Sequence, residues 1–144
     1  MSFEMYLSCF EDGQEGYFRT DVIDEAFAPS IISRGPEHSL WTIAFDSSPE
    51  NPDQTDLHLN LDPEDSSQCS GFTVDRPSGN LLLFDSLMKI LRTTNSAVYW
   101  PGECPPLVGR QETIPHMDPD MVETLGTPVV ISGGDEIRAW LNRS

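Results

Sequence analysis

The sequence predicts an α+β fold, a mostly antiparallel sheet with helices packed on one face, in the order β-α-β-β-β-α-β-α-β-α. Three observations predict it. Several short segments alternate apolar and polar residues with period two, the signature of half-buried strands. One longer segment repeats apolar residues every three or four positions, the signature of a helix face. Turns bearing proline and glycine separate these segments. The chain has 144 residues, a length that fits one domain spanning 1–144. It shows no internal repeat and no interdomain linker.

Residues 1–10 alternate, with Phe3, Met5, Leu7 and Cys9 on one face and Glu4, Tyr6 and Ser8 on the other. They predict the first strand. Residues 11–16 hold two glycines and form a turn. Thr20 then fits an N-cap, with Asp21 and Asp24 in a first turn whose dipole favours acids. Val22, Ile23, Ala26 and Phe27 form the apolar stripe of a short helix ended by Pro29. Residues 40–45 read as a second strand. Leu57, Leu59 and Leu61 alternate with His58, Asn60 and Asp62, giving a third with one wet face. Residues 46–56 between them are polar, acidic and twice interrupted by proline, so a mobile loop is expected. Residues 71–75 supply a fourth strand, stopped by Pro77.

Residues 80–93 carry the clearest helix, with Leu81, Phe84, Leu87, Met88 and Leu91 on one face. Residues 97–100 form a short strand closed by Pro101 and Gly102. Asp118 and Pro119 read as N-cap and first helical residue, and Gly126 as the C-terminal cap. Residues 128–132 predict a strand. Residues 135–142 predict a last helix that docks Ile137, Trp140 and Leu141. The three segments between 40 and 75 make a meander.

Charge is the dominant compositional feature. Twenty-four acidic residues face eight basic ones, a formal net charge of −16, and Lys89 is the only lysine. Such a field repels nucleic acid and anionic membranes, which require a positive footprint, and attracts cationic partners. Solubility or salt adaptation alone produces the same composition. No apolar run exceeds four residues, far short of a membrane span. The N-terminal residues lack a basic start and an apolar stretch, so no signal peptide is expected and the expected compartment is the cytoplasm. Cys9, Cys69 and Cys104 are odd in number and lack metal-knuckle spacing, which predicts reduced thiols.

Most catalytic chemistry lacks its residues. There is no G-x-S-x-G motif, His58 lies on a wet strand face and His38 in a polar turn. Ser132-Gly133-Gly134-Asp135 resembles a phosphate loop but lacks the lysine, and Asp135 and Glu136 oppose an anion there. His116, Asp118 and Asp120 have metal-like spacing, yet the two aspartates are already accounted for by capping the helix. No cofactor and no metal are expected. Acids are too numerous for spacing to single out an acid/base pair.

What remains is recognition. From Gly35 to Asp75 there is no lysine or arginine, while nine acids occur. The expected partner-binding residues are Asp46, Glu50, Asp53, Asp56, Asp62, Glu64 and Asp65. Tyr99 and Trp100, beside Pro101, are aromatic anchors if exposed and core residues if not.

Three segments carry a resemblance: residues 1–6 (MSFEMY), 71–77 (GFTVDRP) and 119–130 (PDMVETLGTPVV). Together they are similar to a family of small bacterial proteins of unknown function, over most of the chain except 46–56. That resemblance implies no activity and no catalytic residues. In size and acidity the chain also resembles immunity proteins that protect bacteria from toxins. The expected function is therefore non-enzymatic binding of a cationic protein, such as a basic toxin domain, without nucleic acid or membrane. The alternative is a small cytoplasmic enzyme using carboxylates.

Overall fold

The computed structural model describes residues 4–28, 30–35, 39–46, 53–102 and 104–143. Among these residues the strands are β1 (Glu4–Glu11), β2 (Gln14–Glu15), β3 (Phe18–Arg19), β4 (Ile31–Arg34), β5 (Leu40–Asp46), β6 (Asp53–Asp62), β7 (Asp65–Asp75), β8 (Ser96–Tyr99), β9 (Leu107–Val108) and β10 (Val129–Val130). The helices are α1 (Asp21–Phe27), α2 (Leu81–Thr93), α3 (Pro119–Leu125) and α4 (Gly134–Arg143), with a 3-10 helix at Gln111–His116.

The main strand order is β10-β9-β8-β1-β7-β6-β5-β4, with β2 added to β1 and β3 to β7. Only the β9–β10 pair is parallel among the described residues. The expected α+β class, mostly antiparallel with helices packed on the sheet, is what the chain adopts. The meander is also present, as β5-β6-β7 extended by β4.

The alternation read in β1 sets the layers. Met5, Leu7 and Cys9 enter the main core, which α2 fills from above with Leu83, Phe84, Leu87, Met88, Ile90 and Leu91. Ile23 and Phe27 of α1 and Ile137 of α4 join the same cluster. A smaller cluster forms around Phe10, Ala97, Val108 and Met117, with Met121 and Val122 of α3 packed on it. Adjacent residues Ala97 and Val98 belong to different clusters, as do Leu107 and Val108. Successive strand residues point to opposite faces. The 3-10 helix and α3 therefore cover part of the face opposite α1, α2 and α4.

β1 and β7 pair from Glu4↔Asp75 to Ser8↔Gly71 and then part. β1 goes on to pair with β2, and β7 with β3. Gly71 sits at the fork with φ +145°, and a Cβ there would lie 1.9 Å from the Leu7 carbonyl oxygen. Only glycine fits this close approach.

Several expectations are corrected. The expected loop at 46–56 contributes residues 53–56 to β6 (Asp53–Asp62), because Thr42↔Asp56 and Ile43↔Thr55 pair between β5 and β6. Thr55 is 2% exposed; its hydroxyl accepts from the Ser78 amide at 2.8 Å and donates to the Arg76 carbonyl at 3.3 Å. Residues 47–52 of that loop lie outside the described residues, as do Pro29 and His38. β7 starts at Asp65 instead of residue 71, since backbone pairing to β6 extends it through a polar stretch without apolar alternation. Thr20 precedes α1, but its side chain makes no cap and instead donates to the Ser67 carbonyl at 3.3 Å. Residues 128–132 yield only the two-residue β10. The short strands β2, β3, β4 and β9 were not expected; β2, β3 and β9 have two residues each, too few to show a period.

Candidate functional site

The polar side of the central strands is the candidate site. On β6 the core takes Leu57 and Leu59, while His58 and Asn60 are exposed and Asp56 is half-buried. Two registered rows cross this face. One runs Thr42↔Asp56↔Asp75↔Glu4 across β5, β6, β7 and β1. The next runs Leu40↔His58↔Thr73↔Tyr6↔Tyr99 and reaches β8.

The first row sets three carboxylates side by side on adjacent strands. Like charges directly opposite one another destabilise a sheet by a few tenths of a kcal/mol, up to about 1. The chain supplies limited compensation. Thr42 Oγ1 donates to Asp56 at 3.0 Å. Arg76, at φ +51°, places its guanidinium 3.7 Å from Asp56 and 4.0 Å from Asp75. His58 Nε2 lies 4.0 Å from Asp75. Arg76 is 72% exposed, so water screens its pairs. Three carboxylates against one guanidinium leave this row negative. Beside it, the rings of Tyr6 and Tyr99 lie 5.5 Å apart, and the Tyr99 and Ser8 hydroxyls share a 2.8 Å hydrogen bond. Acids next to aromatic faces suit a guanidinium or ammonium group.

The expected partner-binding residues do not form one patch. Along β6, Asp62 lies nine residues from Asp53 and six from Asp56, about 30 Å and about 20 Å at roughly 3.3 Å per residue. Asp46 pairs in register with Asp53 at the first end. Asp53 also accepts from Asn80 Nδ2 at 3.4 Å, at the start of α2. At the other end, Asp62, Glu64 and Asp65 shape the β6–β7 turn. Asp62 accepts the Glu64 amide at 3.0 Å, and Asp65 accepts the Ser67 amide at 3.0 Å and its hydroxyl at 2.5 Å. The Ser67 bonds hold the Asp65 carboxyl below the usual range. Glu50 lies outside the described residues. Trp100 is 1% exposed and closes the core, so it cannot be the exposed anchor; it follows β8, where the alternation turns it inward. Tyr99, one residue earlier, does face outward and is half-buried.

Four residues of this face were missed: Glu4, Tyr6, Asp75 and Arg76. The signal for the first two was present, since the alternation of β1 puts Glu4, Tyr6 and Ser8 on its polar side. Strand order, which brings β1 beside β7, was the missing step.

Among the described residues, no group of three or more His, Cys, Asp or Glu could hold a metal ion. Asp118 caps α3 by accepting the Asp120 amide at 2.9 Å, and His116 Nδ1 accepts the Asp12 amide at 3.2 Å. At the start of α4, Glu136 takes the amides that a phosphate would need: Ser132 N at 2.5 Å and Gly133 N at 3.0 Å. Burial raises all three thiols, Cys69 to about 12, so none is a poised nucleophile. No helix among the described residues is long and apolar enough to cross a membrane. Comparison with protein-family models, curated proteins and solved structures finds no match, so the site is read from its own geometry.

Proposed function

We propose that the protein is a non-enzymatic binding module that receives a cationic protein on the polar face of its sheet. The observation that carries this reading is the row Glu4–Asp75–Asp56, aligned on adjacent strands beside the Tyr6–Tyr99 pair. The net charge of −16 extends the same attraction to long range. The specific form we put forward is an immunity protein that holds a basic bacterial toxin inactive in the cytoplasm. Its support is the resemblance in size and acidity, together with the cationic character of toxins that attack nucleic acids.

The test is capture of the C-terminal domain encoded by the adjacent upstream gene. Neutralising the row with E4Q, D56N and D75N keeps side-chain shape and should weaken binding by roughly 100-fold, the scale of several close charge pairs. Neutralising the hairpin acids with D62N, E64Q and D65N should weaken it by less than about tenfold. Equal effects from the two sets would reduce the interaction to net charge, and an unaffected complex in the first set would refute the face.

A further inference from the structure

The described part of the chain leaves two buried side-chain polar atoms without a hydrogen-bond partner, Arg110 Nε and Thr113 Oγ1. They lie three residues apart at the start of the 3-10 helix. Thr113 is fully buried. Arg110 lines a cleft of about 270 Å³ between the β1–β2 hairpin, the end of α2 and the 3-10 helix.

Arg110 shares with Arg92 and Arg138 the lack of an acidic ion-pair partner among the described residues, and differs from them in its buried, unpartnered Nε. Acids outnumber basic residues 24 to 8, and Arg19, Arg34 and Arg76 each reach an aspartate. Arg110 reaches none among the described residues. Its Nη2 donates at 2.7 Å to Asn95 Oδ1, a neutral acceptor. A partly buried guanidinium without an ion pair is costly; Glu11 lines the same cleft without pairing with it, so an anion from solution can serve as counter-charge. His116 also lines the cleft. Its Nδ1 accepts the Asp12 amide at 3.2 Å and lies 3.6 Å from the Asp12 carboxylate. The backbone closes tightly here: a Cβ on Gly16 would meet the Phe10 carbonyl carbon at 2.8 Å.

We propose that this cleft binds a small monocarboxylate, with the Arg110 guanidinium as its counter-ion. A guanidinium fork matches a planar carboxylate. The cleft is at the small end of ligand sites, which limits the ligand to few atoms. Glu11 also lines it, and the whole-molecule field is negative, so a multiply charged anion such as phosphate is disfavoured. The cleft shares no lining residue with the acidic row, and the two sites stand or fall separately.

Sodium acetate is the probe, titrated into ¹⁵N-labelled full-length protein at constant ionic strength. The Asn95 and Arg110 signals should move saturably, with a dissociation constant on the order of 1 mM for so few atoms. R110Q should abolish saturation. R110K keeps the charge and loses the fork, and should weaken binding at least about tenfold. Inorganic phosphate should bind more weakly than acetate. The proposal is overturned by a wild-type protein that shows no saturable acetate shift, by R110Q or R110K binding with the wild-type midpoint, or by phosphate binding as tightly. If R110Q does not give a folded spectrum, R110K carries the comparison.

Discussion

Glu136 shows how much one side chain decides locally. It accepts the Ser132 amide and hydroxyl and the Gly133 amide, satisfying donors that α4 would otherwise leave open. Those bonds, the Ser132 amide first, hold its carboxyl below the usual glutamate range. A carboxylate depressed in the fold contributes stability above its unfolded pKa and loses it as pH falls through the folded value. The stability lost in E136Q should therefore be present at pH 7 and shrink as the pH drops below about 4. Urea titrations at both pH values read the difference, and a gap independent of pH would show that the charge is irrelevant. The thiols give a second residue-scale test. Cys9, Cys69 and Cys104 are at most 5% exposed and free, and burial raises each pKa. A chromogenic disulfide reagent at neutral pH should label the native protein only as it opens, and all three thiols in denaturant. Rapid labelling of the native protein would contradict the burial. That acids stand at the start of α4 was legible in the sequence; that Glu136 itself accepts the Ser132 and Gly133 amides was not. The side-chain cap expected of Thr20 does not form, because its hydroxyl donates to the Ser67 carbonyl, 47 residues away.

At the scale of elements, legibility followed how many residues shared one environment. α2 was readable because thirteen residues repeat one buried face, and β6 because Leu57, Leu59 and Leu61 alternate with polar neighbours. The polar first half of β7 was not readable. It is held by backbone pairing to β6 and β3, which leaves no trace in side-chain pattern. The same cause hid the candidate face. Its acids are ordinary in sequence, and they become a row only when β1 inserts between β7 and β8. Gly71 is the element-scale control on that insertion. G71A combines a Cβ 1.9 Å from the Leu7 carbonyl with an unfavourable φ. Overlap with backbone cannot be relieved by rotating a side chain, so the β1–β7 pair must shift. A loss of at least about 3 kcal/mol is expected by urea denaturation. A loss under about 1 kcal/mol would mean that β1 and β7 do not approach as described.

The whole molecule makes salt act in two opposite directions. A net charge of −16 on one compact chain repels itself, and screening that repulsion should stabilise the fold. The opposing effect is loss of exposed ion pairs. The arginine pairs described are Arg19–Asp21, Arg34–Asp24 and the pairs of Arg76, all with exposed arginines and worth at most about 1 kcal/mol each. Repulsion among the excess acids should win. The melting temperature should rise by several degrees as sodium chloride goes from about 0.02 M to about 0.5 M, a gain of about 1 kcal/mol in a domain of this size. Association with a cationic partner should respond in the other sense. Attraction acts mainly on encounter, and the Debye length falls from about 10 Å at 0.1 M to about 3 Å at 1 M, so association should slow steeply while dissociation changes less. Scanning fluorimetry and stopped-flow mixing over one salt series measure both. A fold that gains stability with salt and a partner whose association rate ignores it would assign the acidity to solubility or salt adaptation. A fold that loses stability with salt would show that the arginine pairs outweigh the repulsion. Opposed slopes are the outcome expected if the same acids that strain the free molecule are those that a cationic surface neutralises.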